Sequence, residues 1–126
     1  MPRVMIVDDE ENQRRALAIG LRLEGFDVVL AASGAEALRL LAEPPAVDVA
    51  MIDLMMPGLN GLEVARQIRR AFPSVRIVLS SAYHLSARQV ERADCGAVGF
   101  VPKPYKILEL CTFLHSKARA SVPVAV

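Results

Sequence analysis

Short apolar runs alternate with amphipathic stretches along the whole chain. Val4–Val7 is continuously apolar and stops abruptly at Asp8, Asp9, Glu10 and Glu11. That pattern predicts a strand buried on both faces whose C-terminal end emerges into a polar loop. Comparable runs recur at Val28–Ala31, Val47–Ile52, Arg76–Leu79 and Ala97–Val101, each followed by a polar, Gly or Pro break. Between them the apolar positions take helical spacing: Leu17 with Leu21, Leu38 with Leu41 and Ala42, Val64 with Ile68 and Phe72, and Ile107 with Leu110, Cys111 and Leu114. A fourth helix, near Ser86–Asp94, has the weakest stripe, with only Ala87, Val90 and Ala93.

Boundary residues agree with this division. Gly25 and Gly96 follow the first and fourth helices, Ser33 is placed to cap the second, and Pro73 stops the third. Strands and helices in strict alternation, five of each, predict right-handed crossovers and a parallel sheet covered on both faces. Such a doubly wound sheet carries its chemistry in the crevice at the carboxyl ends of the strands. The chain, at 126 residues with 53% hydrophobic composition, is one domain with a substantial core. We place that domain at 1–117 and read 118–126 as a loosely attached tail.

Fifteen Lys and Arg against fourteen Asp and Glu leave a formal charge of +1, too balanced for a protein that coats nucleic acid or an anionic membrane. Too few residues follow Leu114 for a helix-turn-helix unit, so direct nucleic-acid binding is not expected. Arg66, Arg69 and Arg70 read as the solvated face of the third helix, and His84 and His115 as surface residues. Cys95 and Cys111 lack metal-ligand or redox spacing and read as buried free thiols. No stretch approaches the roughly 18 apolar residues that cross a bilayer, and no export signal precedes the first strand. The expected location is the cytoplasm.

The strand ends gather the candidate chemistry. They supply Asp8 and Asp9, then Asp53, then Ser80 and Ser81, and finally Lys103. In a sheet of order 2-1-3-4-5 the first, third and fourth strands are neighbours, so three carboxylates converge beside a hydroxyl and an ammonium. Each pair of carboxylates at about 4 Å and an effective dielectric near 20 costs on the order of 4 kcal/mol. A cation must sit among them, and an all-oxygen site with room for water suits Mg²⁺. Mg²⁺ with open positions suits phosphoryl chemistry, in which a carboxylate can itself be the nucleophile. Asp53 is the best placed for that role, since Pro57, Gly58 and Gly61 let backbone approach it closely.

Asp8-Asp9, Asp53 followed by Leu-Met-Met-Pro-Gly, Ser81-Ala82, Phe100 and Lys103-Pro104 together resemble the receiver domain of bacterial two-component response regulators, over roughly residues 3 to 117. The resemblance implies a flavodoxin-like fold. It implies Asp53 as phospho-acceptor; Asp9 as a direct Mg²⁺ ligand with Asp8 beside it; and the backbone carbonyl of Met55 as a further ligand. Ser81 would be the switch hydroxyl, Phe100 the aromatic switch, and Lys103 the lysine that pairs the phosphoryl group, followed by a peptide commonly cis. The implied partners are a sensor histidine kinase or histidine phosphotransfer protein upstream and a protein effector downstream, with phosphorylation-dependent homodimerisation as a further outcome. A longer regulator containing this module is the alternative setting. A Mg²⁺-dependent phosphatase with an aspartyl nucleophile is disfavoured, because Met55 stands where such enzymes want an acid. A dinucleotide binder is disfavoured by the absence of a Gly-rich loop after the first strand.

Overall fold

The computed structural model describes residues 1–54, 60–83 and 85–119. It runs β1 (Arg3–Val7), α1 (Glu11–Leu23), β2 (Asp27–Ala31), α2 (Gly34–Leu41), β3 (Val49–Asp53), α3 (Gly61–Ala71), β4 (Arg76–Ser81), α4 (Ala87–Arg92), β5 (Ala97–Pro102) and α5 (Ile107–Arg119). All pairings are parallel and the strand order is β2-β1-β3-β4-β5, as expected of the doubly wound α/β fold.

Alternation along the central strands feeds two cores. Val7, Ile52 and Leu79 join Ile68 of α3 on one face, while Ile6, Met51 and Val78 join Leu17 and Leu21 of α1 and Leu110 and Leu114 of α5 on the other. Val4–Val7 is no more than 2% exposed at any position, which is why the run lacks the polar alternation of a half-exposed strand. β3 begins two residues later than its apolar run. Asp48 spends its carboxylate on the Arg3 N–H at 2.8 Å, while its N–H donates to the Arg3 carbonyl at 2.9 Å. At the other end, β4 continues through Ser80 and Ser81, both buried.

The helix ends are capped as expected. Ser33 Oγ accepts the Glu36 N–H at 3.1 Å, and Gly25 and Gly96 hold φ of 91° and 73°, a region that suits glycine. Weak as its stripe is, α4 still forms. It has no buried residue, and a reciprocal capping box between Ser86 and Gln89 closes its start. Val90 and Ala93 rest part-buried on the α3 side of the core.

Three expectations change. The arginines of α3 are not simply solvated: Arg66 donates to the Ala93 carbonyl at 2.7 Å and Arg69 to the Asp94 carboxylate at 3.1 Å, fastening the turn after α4. His115 is part-buried, its ring 4.3 Å from that of Phe26, because α5 lays this face on the α1 end of the sheet. α5 runs on to Arg119 with Ala118 buried in the core beneath it, so residue 118 is helical and packed. His84 and the remainder of the tail lie outside the described residues. Cys95 and Cys111 are free and buried, as expected.

Candidate functional site

Three strand ends meet at one edge of the sheet. Val7 pairs Ile52, and Asp53 pairs Ser80, so Asp8 and Asp53 arrive side by side as their strands leave the core. Both are buried, at 6% and 7% exposure. Asp8 is fixed by its surroundings: its N–H donates to the Ala31 carbonyl at 3.1 Å, its carboxylate accepts the Glu10 N–H at 2.9 Å, and its carbonyl accepts Arg14 Nη1 at 2.7 Å. Glu10 has a separate job. Its carboxylate caps α1 by accepting the Asn12 and Gln13 N–H groups, each at 3.1 Å. The start of α3 lies close against Asp53: a Cβ on Gly61 would lie 2.8 Å from the Asp53 carbonyl oxygen and 2.9 Å from Leu54 Cα. Only glycine lets α3 start this close to the acid.

Lys103 enters from β5. Its N–H donates to the Ser81 carbonyl at 2.8 Å, and the Lys103–Pro104 peptide is cis, as the resemblance implied. The ammonium reaches Asp53 Oδ2 at 2.9 Å and Gln13 Oε1 at 3.0 Å, with Asp8 Oδ2 at 3.7 Å. Asp9 stands exposed at the rim of the same cleft, which Asp8, Gln13, Asp53, Ala82 and Lys103 also line. Burial pushes the Asp8 carboxyl above its ordinary value, against the opposing pull of the Glu10 N–H and Lys103, and with a further push from the Asp53 and Asp9 charges. Burial works the other way on Lys103, but the hydrogen bond and charge of Asp53, with Asp8 behind it, prevail and raise its pKa. Burial also keeps Tyr105, beside the lysine, protonated well into the alkaline range.

The structure therefore brings Asp8, Asp53 and Lys103 into one cluster and puts Asp9 at its edge. Ser81 is buried, and its hydroxyl accepts the Tyr83 N–H at 3.1 Å. Phe100 lies part-buried against the core on the α4 side, in a groove with Leu85, Val90 and Val98. Met55, Pro57 and Gly58 lie outside the described residues. Gln13 escaped the sequence reading, although it shares a helical face with Leu17 and Leu21. A polar residue capping an apolar stripe was the available signal.

The donor set fits Mg²⁺. It is all oxygen, two of its carboxylates are buried, and an acid and open space adjoin them. Among the described residues no three His, Cys, Asp or Glu side chains already form a metal-holding group.

The response regulator receiver domain model matches residues 4–115. The response regulator MprA of Mycolicibacterium vanbaalenii is 36% identical over 121 residues, covering 96% of this chain and 52% of that protein; MprA of Mycobacterium avium is 35% identical, covering 96% and 53%. The chain spans about half the length of the curated relatives it matches. Among solved structures, the response regulator TrrA of Thermotoga maritima in complex with Mg²⁺-BeF is 33% identical with a TM-score of 0.79, covering 93% of this chain and 99% of that one. Chemotaxis protein CheY4 of Vibrio cholerae is 27% identical with a TM-score of 0.83, covering 92% and 98%.

Proposed function

Because this chain belongs to the response regulator receiver domain family, a family of phospho-acceptor switches and not of conventional enzymes, we propose that Asp53 is the side chain that accepts the phosphoryl group. One observation carries this reading: Lys103 Nζ lies 2.9 Å from Asp53 Oδ2, with Asp8 Oδ2 on its other side at 3.7 Å. An acid poised for attack, a second acid and a cation are thus supplied by three strand ends.

A carboxylate oxygen of Asp53 attacks phosphorus, the bond from phosphorus to the donor histidine nitrogen breaks, and the imidazole leaves with its electron pair. Lys103 passes from the carboxylate to a phosphoryl oxygen as a point charge. Asp8, Asp9, Asp53 and the Met55 carbonyl would hold Mg²⁺, which when bound neutralises phosphoryl oxygens. The Mg²⁺-BeF complex of TrrA supports that assignment by likeness. Ser81, whose hydroxyl oxygen accepts the Tyr83 N–H at rest, donates its own O–H to the phosphoryl group, and Phe100 moves with it, remodelling the α4–β5 side.

A receiver domain implies a cognate histidine kinase; a sensor kinase or a histidine phosphotransfer protein is the donor in this reading. A protein effector reads the switch, directly or through a phosphorylation-dependent homodimer, and nucleic acid is not bound by these residues. Among the described residues no helix is long and apolar enough to cross a membrane, and we assign the switch to the cytoplasm. The receiver unit is taken as residues 1–117 together with the end of α5 through Arg119. In the relatives the matched stretch is about half of the protein, so there the same switch is joined to further sequence.

Incubation with acetyl phosphate and Mg²⁺, followed by intact-mass measurement, should add one phosphoryl group to the protein. EDTA should prevent the addition, and Asp53→Asn should abolish it. Full labelling of Asp53→Asn would move the acceptor elsewhere.

A further inference from the structure

Ser80 is a polar residue that the proposed reaction does not use. It pairs Asp53 on β3 and Val101 on β5, and partners in a parallel ladder present their side chains to the same face. Two residues earlier on that face lies Val78, in a row with Met51 and Ile6. Ser80 therefore ends an apolar column and stands next to Asp53. It is 1% exposed, and its hydroxyl has no hydrogen-bond partner among the described residues. A buried hydroxyl in this position needs a partner. A small cavity, with room for about one water molecule, opens there between Ser80, Asp8, Asp53, Met51, Lys103 and Tyr105. Hydroxyl, carboxylates and ammonium around one such space are the two to four polar neighbours that a structural water requires.

We propose that Ser80 is a positioning residue for Asp53, acting through a single buried water that accepts from the Ser80 hydroxyl and donates to the Asp53 carboxylate from the sheet side. The torsion that turns an aspartate carboxylate is broad and intrinsically weakly defined. Lys103 holds Oδ2 from the cleft. A further hold from beneath helps fix the plane of the group, so that an oxygen faces the donor before it arrives. The inference rests on Asp53 being the acceptor.

The test compares initial rates of phosphorylation by acetyl phosphate, with Mg²⁺, for the wild type, Ser80→Val, Ser80→Thr and Asp53→Asn, each with a thermal unfolding curve. It also includes a high-resolution crystal structure of the wild type. Val fills the cavity with methyl groups and should unfold at the wild-type temperature or above, yet react about three- to tenfold more slowly, the worth of one hydrogen bond in a rate. Thr keeps the hydroxyl and should restore the rate, which a purely structural role would not require. Electron density should place a water within hydrogen-bond reach of both Ser80 Oγ and the Asp53 carboxylate. Wild-type rates in Ser80→Val, or density without that water, would overturn the proposal and leave the acceptor assignment standing. Labelled Asp53→Asn would overturn both. Should Ser80→Val not fold, the density alone decides.

Discussion

Asp8 holds its proton more tightly in the fold than in the open chain, because burial and two neighbouring acids outweigh the Glu10 N–H and Lys103. The folded protein then binds more protons than the unfolded one between the ordinary value of 3.8 and the raised one, so this group's contribution to stability falls as pH rises through that interval. Lys103 has the same sign of slope with pH but a stabilising effect at neutrality. Its raised pKa stabilises the fold fully below 10.5 and loses that contribution as pH climbs through the folded value. The Asp8→Asn variant should therefore melt a few degrees higher than the wild type at neutral pH without Mg²⁺, a gain of about 1 kcal/mol, and should gain less from added Mg²⁺. Differential scanning calorimetry in EDTA and in Mg²⁺ checks this; a lower midpoint in EDTA would contradict it. Asp8 and Asp53 were legible because each directly follows an apolar run, and Lys103 because it stands just past one in register with the two acids. Gln13 was harder to read: its place at the head of the Leu17–Leu21 stripe marks it only as a polar residue near the sheet, and its partner lies 90 positions away.

Among the elements, the strands were the most legible, because a strand covered on both sides must be apolar throughout. The six residues of α4 were the least, and packing shows why: none is buried, so little hydrophobic pattern is required of them. What holds this helix is local. Ser86 N–H donates to Gln89 Oε1 at 2.8 Å, Gln89 N–H donates to Ser86 Oγ at 3.1 Å, and Arg66 and Arg69 grip the turn that follows. The Ser86→Ala variant should lose about 1 kcal/mol of local stability. In hydrogen exchange, α4 amides should open faster in that variant while those of β1 and β3 keep wild-type protection, since opening of so short an element is sub-global. Equal acceleration throughout would show α4 to be part of the global unit.

At the scale of the molecule, the two cores lie on opposite faces of strands they share. Ile6 belongs to one and Ile52 to the other, on neighbouring strands. Ile6→Ala and Ile52→Ala should each cost about 2–5 kcal/mol, and urea unfolding followed by circular dichroism and by an α5 probe should stay a single coincident transition in both. The strand order was not written in the periodicity, which is identical for any arrangement of five buried strands. The crossover rules gave a parallel sheet, and the order came with the family resemblance. The lysine at the crevice gives this architecture its last consequence. At rest its charge is already engaged by Asp53 and Gln13, with Asp8 near. An arriving anion gains only the difference between two sets of oxygen neighbours, never the full attraction of an idle cation. On the proposed reading, a phosphoryl group on Asp53 would compete with these oxygens for the ammonium instead of meeting an unpaired charge.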